Sequence, residues 1–122
     1  DLRAITPLKL RNALNASGEA PIYACRVWVN FNGTGTVAIR ASGNVSSITD
    51  RGVGQYTVNF TTAMPDANYS ASCMGENSTS SGCNIWKDTA ISMSTSLYPI
   101  QVAQSSNDAL LDPAVVQVSI FR

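Results

Sequence analysis

The stretch Gly52-Val53-Gly54-Gln55-Tyr56-Thr57-Val58-Asn59-Phe60-Thr61-Thr62-Ala63-Met64-Pro65-Asp66-Ala67-Asn68-Tyr69-Ser70 decides the fold of this chain. Two glycines mark a turn, and Tyr56, Val58 and Phe60 then recur at every second position, the period of a half-buried strand. Pro65 and Asp66 make a second turn, because proline presets φ and aspartate hydrogen-bonds its own backbone. Another strand opens at Tyr69.

The same period extends outward on both sides. Cys25, Val27, Val29 and Phe31 alternate with Arg26, Trp28 and Asn30, and Asn32-Gly33-Thr34-Gly35 then turns the chain into Val37–Ser42. Asn and Gly accept the positive φ of hairpin turns, so this pair reads as a hairpin. A third run covers Val45–Thr49. Beyond Tyr69–Met74, the segment Asn84–Ser94 alternates, with room for a bulge at Asp88–Ala90, and reads as one or two short strands. Tyr98-Pro99 suggests an edge or corner, since proline donates nothing to a ladder. Ile100–Gln104 and Val115–Phe121 follow, the last with Val116, Val118 and Ile120 on one face. Turn signals recur roughly every 8–14 residues, the spacing of a sandwich or barrel.

The expected fold is all-β: an antiparallel β-sandwich over residues 22–122, preceded by a linker or anchor at 1–21. A two-turn helix around Leu8–Leu14 and a flexible joint at Ala16–Ala20 fit that first segment. With 122 residues the chain suffices for one core. Trp28 and Phe121 stand opposite apolar faces of their own strands, so these strands are two-faced, and a subunit contact is the economical cover.

Lys+Arg and Asp+Glu balance at eight each, which argues against a nucleic-acid partner. No apolar run is long enough for a spanning helix, and no membrane insertion is expected. No signal peptide is visible at Asp1, and the first twenty residues read as a linker cut from a longer protein.

Histidine is absent, which removes His-activated nucleophiles and most transition-metal sites; no catalytic residue, metal or cofactor is expected. The carboxylates fall mostly in turns, where aspartate has a structural use. Six Asn-x-Ser/Thr triplets occur, at Asn15, Asn32, Asn44, Asn59, Asn68 and Asn77, and read as incidental to an Asn- and Ser-rich chain. Cys73 and Cys83 flank a polar loop; neighbouring strands could bring them within the ~4.4–6.8 Å between Cα atoms that a disulfide needs. Three reduced, half-buried thiols, Cys25 included, are the alternative.

Hydroxyl and amide groups crowd the loop Gly75–Gly82, with Trp86 close behind. Asn77, Ser78, Thr79, Ser80, Ser81 and Trp86 are therefore the candidate receptor contacts, suited to weak binding of sugars; the same loop is equally well explained as a solvated connection.

Three runs carry a resemblance: Ala20–Gly33, Ile39–Asp50 and the Gly52–Ser70 stretch quoted above, with Ala13–Gly18 also fitting just upstream. In this order they resemble a module of tailed-bacteriophage virion fibres, attached to tail fibres, head fibres and other appendages, commonly as a C-terminal domain. The resemblance implies a β-rich homotrimeric tip, assembly in the bacterial cytoplasm and a place on the virion surface. It carries no catalytic motif. It implies contact with other virion proteins, which the N-terminal segment would make, and contact with a host surface glycan through the unmatched region after Cys73. A capsid-decoration or fibre-anchoring domain without receptor binding is the rival expectation.

Overall fold

The computed structural model describes residues 6–14, 20–77 and 82–122. Helix α1 (Pro7–Ala13) comes first, then strands β1 (Cys25–Asn32), β2 (Ala38–Gly43), β3 (Val45–Gly52), β4 (Gln55–Phe60), β5 (Ser70–Glu76), β6 (Cys83–Lys87), β7 (Leu97–Gln104) and β8 (Val115–Phe121). The strands form two four-stranded antiparallel sheets, ordered β2-β1-β8-β5 and β3-β4-β7-β6. The sheets pack face to face as an all-β sandwich.

Alternation decides what lies between them. Val27, Val29 and Phe31 from β1 and Val116, Val118 and Ile120 from β8 meet Tyr56, Val58 and Phe60 from β4 and Tyr98, Ile100 and Val102 from β7. Each such side chain, fully buried, contributes about 1.5–3 kcal/mol. Met64 and Tyr69, from the quoted stretch, close one end, with Tyr69 edge-on to both Phe60 and Tyr98.

Helix α1 starts where Thr6 caps the Lys9 amide and Pro7 occupies the first turn, and none of its residues is buried. The chain changes sheets at Asn44, between β2 and β3, at φ 58°. Asparagine tolerates this left-handed conformation, and its side chain holds the corner. Its amide donates to the carbonyls of Arg26 and Thr62, and its oxygen accepts from the Thr62 amide.

The turn between β3 and β4 uses Gly52 and Gly54, both at positive φ. Gly54 is also pressed against the Val102 carbonyl and the Leu111 backbone, so any side chain there would collide. Asp112 accepts from the Gly54 amide (2.7 Å) and from the Tyr56 hydroxyl (2.6 Å), tying the turn to the segment before β8. Burial, helped by Asp112, raises the Tyr56 hydroxyl above its ordinary pKa.

Three expectations need correction. Gly33 is required by close approach, since a Cβ there would meet the Tyr56 hydroxyl, whereas Gly35 supplies the positive φ of that hairpin. Pro99 sits inside β7, an internal strand, and not at an edge or corner. Its carbonyl accepts from the Asp88 amide (3.1 Å), but proline returns no hydrogen bond. The β6–β7 ladder therefore stops at Lys87, and residues 88–96 form a loop where Asn84–Ser94 read as strand.

Candidate functional site

Of the candidate receptor contacts, Ser78, Thr79, Ser80 and Ser81 lie outside the described residues. Asn77 follows the end of β5, and Gly82, the residue before β6, is anchored by both the amide (3.0 Å) and the hydroxyl (2.7 Å) of Ser105. Gly75 lets these strands close the sandwich edge, because a Cβ there would touch Cys83 Sγ and Ile85.

Trp86 pairs with Gln101 and shares its outward side, since Ile100 and Val102 on either side of Gln101 are in the core. The indole is 38 % exposed, and its Nε1 donates to Gln101 Oε1 at 3.0 Å. Asn84, two residues earlier on the same face, is exposed. Trp86 therefore presents a fixed aromatic face near the Lys87 end of β6, three residues along from Cys83.

The rest of this outer face is closed by its own side chains. Asn59 Nδ2 donates to Ser47 Oγ (3.1 Å) and Thr49 Oγ1 (2.9 Å) across the β3–β4 ladder. Arg51 lies at the bulge of β3 and reaches the Tyr56 carbonyl (3.3 Å), the Ile100 carbonyl (3.5 Å) and Asp88 Oδ2 (2.7 Å). One side chain thus straps β3, β4, β7 and the end of β6. Asp88 is only 2 % exposed, and its other oxygen accepts from the Ala90 amide. That amide, then the Arg51 guanidinium, holds the Asp88 carboxyl below the usual carboxylate range. Thr57 and Pro99 are buried on the same face.

The outer face of the other sheet is different. Trp28 is 43 % exposed and lies across Gly43, where any side chain would collide with the indole. Met74 is 67 % exposed, and Phe121 also faces solvent. The two-faced character of β1 and β8 is thus present in the structure.

The cysteines are three free thiols. Cys73 and Cys83 do not form the disulfide weighed from the sequence. Cys83 Sγ lies against Gly75, two positions along β5 from Cys73, a step of about 6.8 Å. Burial pushes the Cys73 thiol up to about 11 and raises Cys83 as well, so both stay protonated at neutral pH.

The described carboxylates have structural partners in several cases. Asp66 pairs with Arg122 (2.6 Å) and caps the Asn68 amide, and the Arg122 contact lowers its pKa. Asp88 holds Arg51, Asp112 holds Tyr56, and Asp50 accepts from the Gly52 amide. Among the described residues, no group of three or more His, Cys, Asp or Glu could hold a metal ion. No helix among them is long and apolar enough to cross a membrane. The amides of Asn32, Asn44 and Asn59 are engaged internally, consistent with reading those triplets as incidental.

The sequence pointed to Trp86 and the loop but passed over Gln101, whose role depends on the pairing of β6 with β7. It also passed over the Arg51–Asp88 strap, since nothing in the residue pattern links those two positions. Comparison with protein-family models, with curated proteins and with solved structures returned no match.

Proposed function

We propose that this chain is a structural domain of a tailed-bacteriophage virion, the distal part of a tail fibre, and that it binds a host cell-surface polysaccharide as a homotrimer. The observation that carries this reading is the resemblance of Ala20–Ser70 to phage fibre modules. The corresponding residues serve the scaffold: Gly54 and Tyr56 make the turn, Asn44 the corner, and Met64 and Tyr69 the end of the core. Trp86, held by Gln101 on the outer side of β6, supplies an aromatic and amide platform suited to sugar. Three weak sites on one fibre would gain strength through avidity. No catalytic step belongs to this reading.

A second reading is a capsid-decoration or fibre-anchoring domain without receptor binding. The exposed Leu8, Leu10 and Leu14 around α1, with no buried residue in the helix, favour an anchoring role for that segment. Purified domain added to host cells before phage separates the two. Blocked adsorption is expected for the receptor-binding reading, whereas unchanged adsorption at saturating dose favours the anchor.

A further inference from the structure

On the outer side of the sheet β2-β1-β8-β5, the β5–β8 ladder places Ser70 beside Phe121, Ser72 beside Ser119 and Met74 beside Gln117. Trp28 stands next to Ser119 on β1. A cavity of about 180 Å³ is lined by Ser72, Cys73, Met74, Gln117 and Ser119. A second, of about 420 Å³, is lined by Tyr23, Asn68, Ser70, Phe121 and Arg122. Successive pairs of one ladder line both, and Ser70 to Met74 spans about 13 Å. Together they make a trough with a hydroxyl and amide floor, Met74 at one end, and Phe121 and the 70 %-exposed Tyr23 at the other; Trp28 flanks the middle rung from β1, its indole laid over Gly43 of β2.

The floor has hydrogen-bonding capacity that the protein does not use. The side chains of Ser72, Gln117 and Ser119 make no hydrogen bond among the described residues. On the opposite sheet Asn59, Ser47 and Thr49 satisfy one another. Near the trough Arg122 pairs with Asp66, and Arg40 bonds the Ala114 carbonyl (2.7 Å) and Asn30 Oδ1, whereas Glu76, the next outward residue of β5 beyond Met74, makes no side-chain hydrogen bond or ion pair among the described residues.

We propose that this trough is a saccharide-binding site that takes a short stretch of glycan. Sugar rings present C–H faces that lie on Phe121 and Tyr23, and their hydroxyls both donate and accept, matching Ser72, Ser119 and Gln117. A second copy of the chain fits less well. A protein surface pressed onto this floor without matching polar groups would cost about 1–3 kcal/mol for each group left unpaired. The inference rests on the proposed function only for the origin of the glycan at the host surface.

Two tryptophans allow the test to localise binding. In Trp86→Phe, Trp28 is the sole indole; in Trp28→Phe, Trp86 is. Each is titrated with maltohexaose, cellohexaose and a mannohexaose at millimolar concentration while indole emission is followed. A saturable change at Trp28, weakened about tenfold by Gln117→Ala or Ser119→Ala without loss of unfolding midpoint, is the expected result. Sugar binding reported only by Trp86 and insensitive to those substitutions would overturn the trough while leaving the receptor reading intact. Absence of binding by all three sugars would also overturn it. If the domain still blocks phage adsorption in that case, the receptor lies elsewhere on the molecule; burial of Trp28 from an aqueous quencher only in the assembled oligomer would assign the face to self-association.

Discussion

The two outer faces of the sandwich are built from similar residue types and end in opposite states. On β3-β4-β7-β6, the Asn59 amide pairs with the Ser47 and Thr49 hydroxyls, the Thr57 hydroxyl is buried without a partner, and Arg51 runs across four strands to the buried Asp88. On β2-β1-β8-β5, Ser72, Ser119 and Gln117 are left without internal partners between exposed Trp28, Met74 and Phe121. The first arrangement stabilises the molecule. The second leaves hydrogen-bonding capacity and apolar surface facing outward, which is what a binding face requires. The difference lies in cross-strand register, which sets which polar side chains can reach one another.

The largest effect expected from breaking this contrast is at the strap. Asp88→Ala leaves Arg51 largely buried without its carboxylate and is expected to cost about 3 kcal/mol in urea unfolding. A loss within experimental error would show that the face is not held closed by this pair. The strap also predicts a pH dependence. The folded Asp88 carboxyl titrates below its unfolded value of about 3.9, so its contribution is full above about pH 5. It drains away as pH falls through the lower folded value. Asp88→Asn should therefore flatten the acid limb of the stability profile, measured by thermal unfolding from pH 6 to 2 (a range of about four units).

A smaller effect is expected at the hydroxyl cluster. Asn59→Ala removes its bonds to Ser47 and Thr49 and should cost about 1 kcal/mol, read from the unfolding midpoint. The smallest belongs to the other face: Ser72→Ala, Gln117→Ala and Ser119→Ala should each change stability by less than about 0.5 kcal/mol. A larger loss at any of the three would mean that the trough is structural, and the contrast between the faces would fail.

The inward sets were legible residue by residue. Val27, Val29 and Phe31, Tyr56, Val58 and Phe60, and Val116, Val118 and Ile120 are spaced by two and sit in the core. Their period is a local property of a strand, so a sequence displays it directly. Pro99 was misjudged because its effect depends on which neighbour its missing donor faces; that neighbour, β6, simply ends there. Asn84–Ser94 was overextended for the same reason. At the candidate site, Trp86 was legible as an aromatic beside a polar loop, but its partner Gln101 was not.

Composition and period alone determined that this chain makes strands, where it turns, and which side chains leave water. Those properties depend on residues within a few positions of one another. Tertiary structure decided which outward-facing groups meet, Arg51 with Asp88 and Trp86 with Gln101, and which, such as Ser72 and Ser119, stand side by side unbonded. Strand pairing brings together positions far apart in the chain, and hydrogen bonds act only over about 3 Å, so registers chosen by the core assign the fate of each surface.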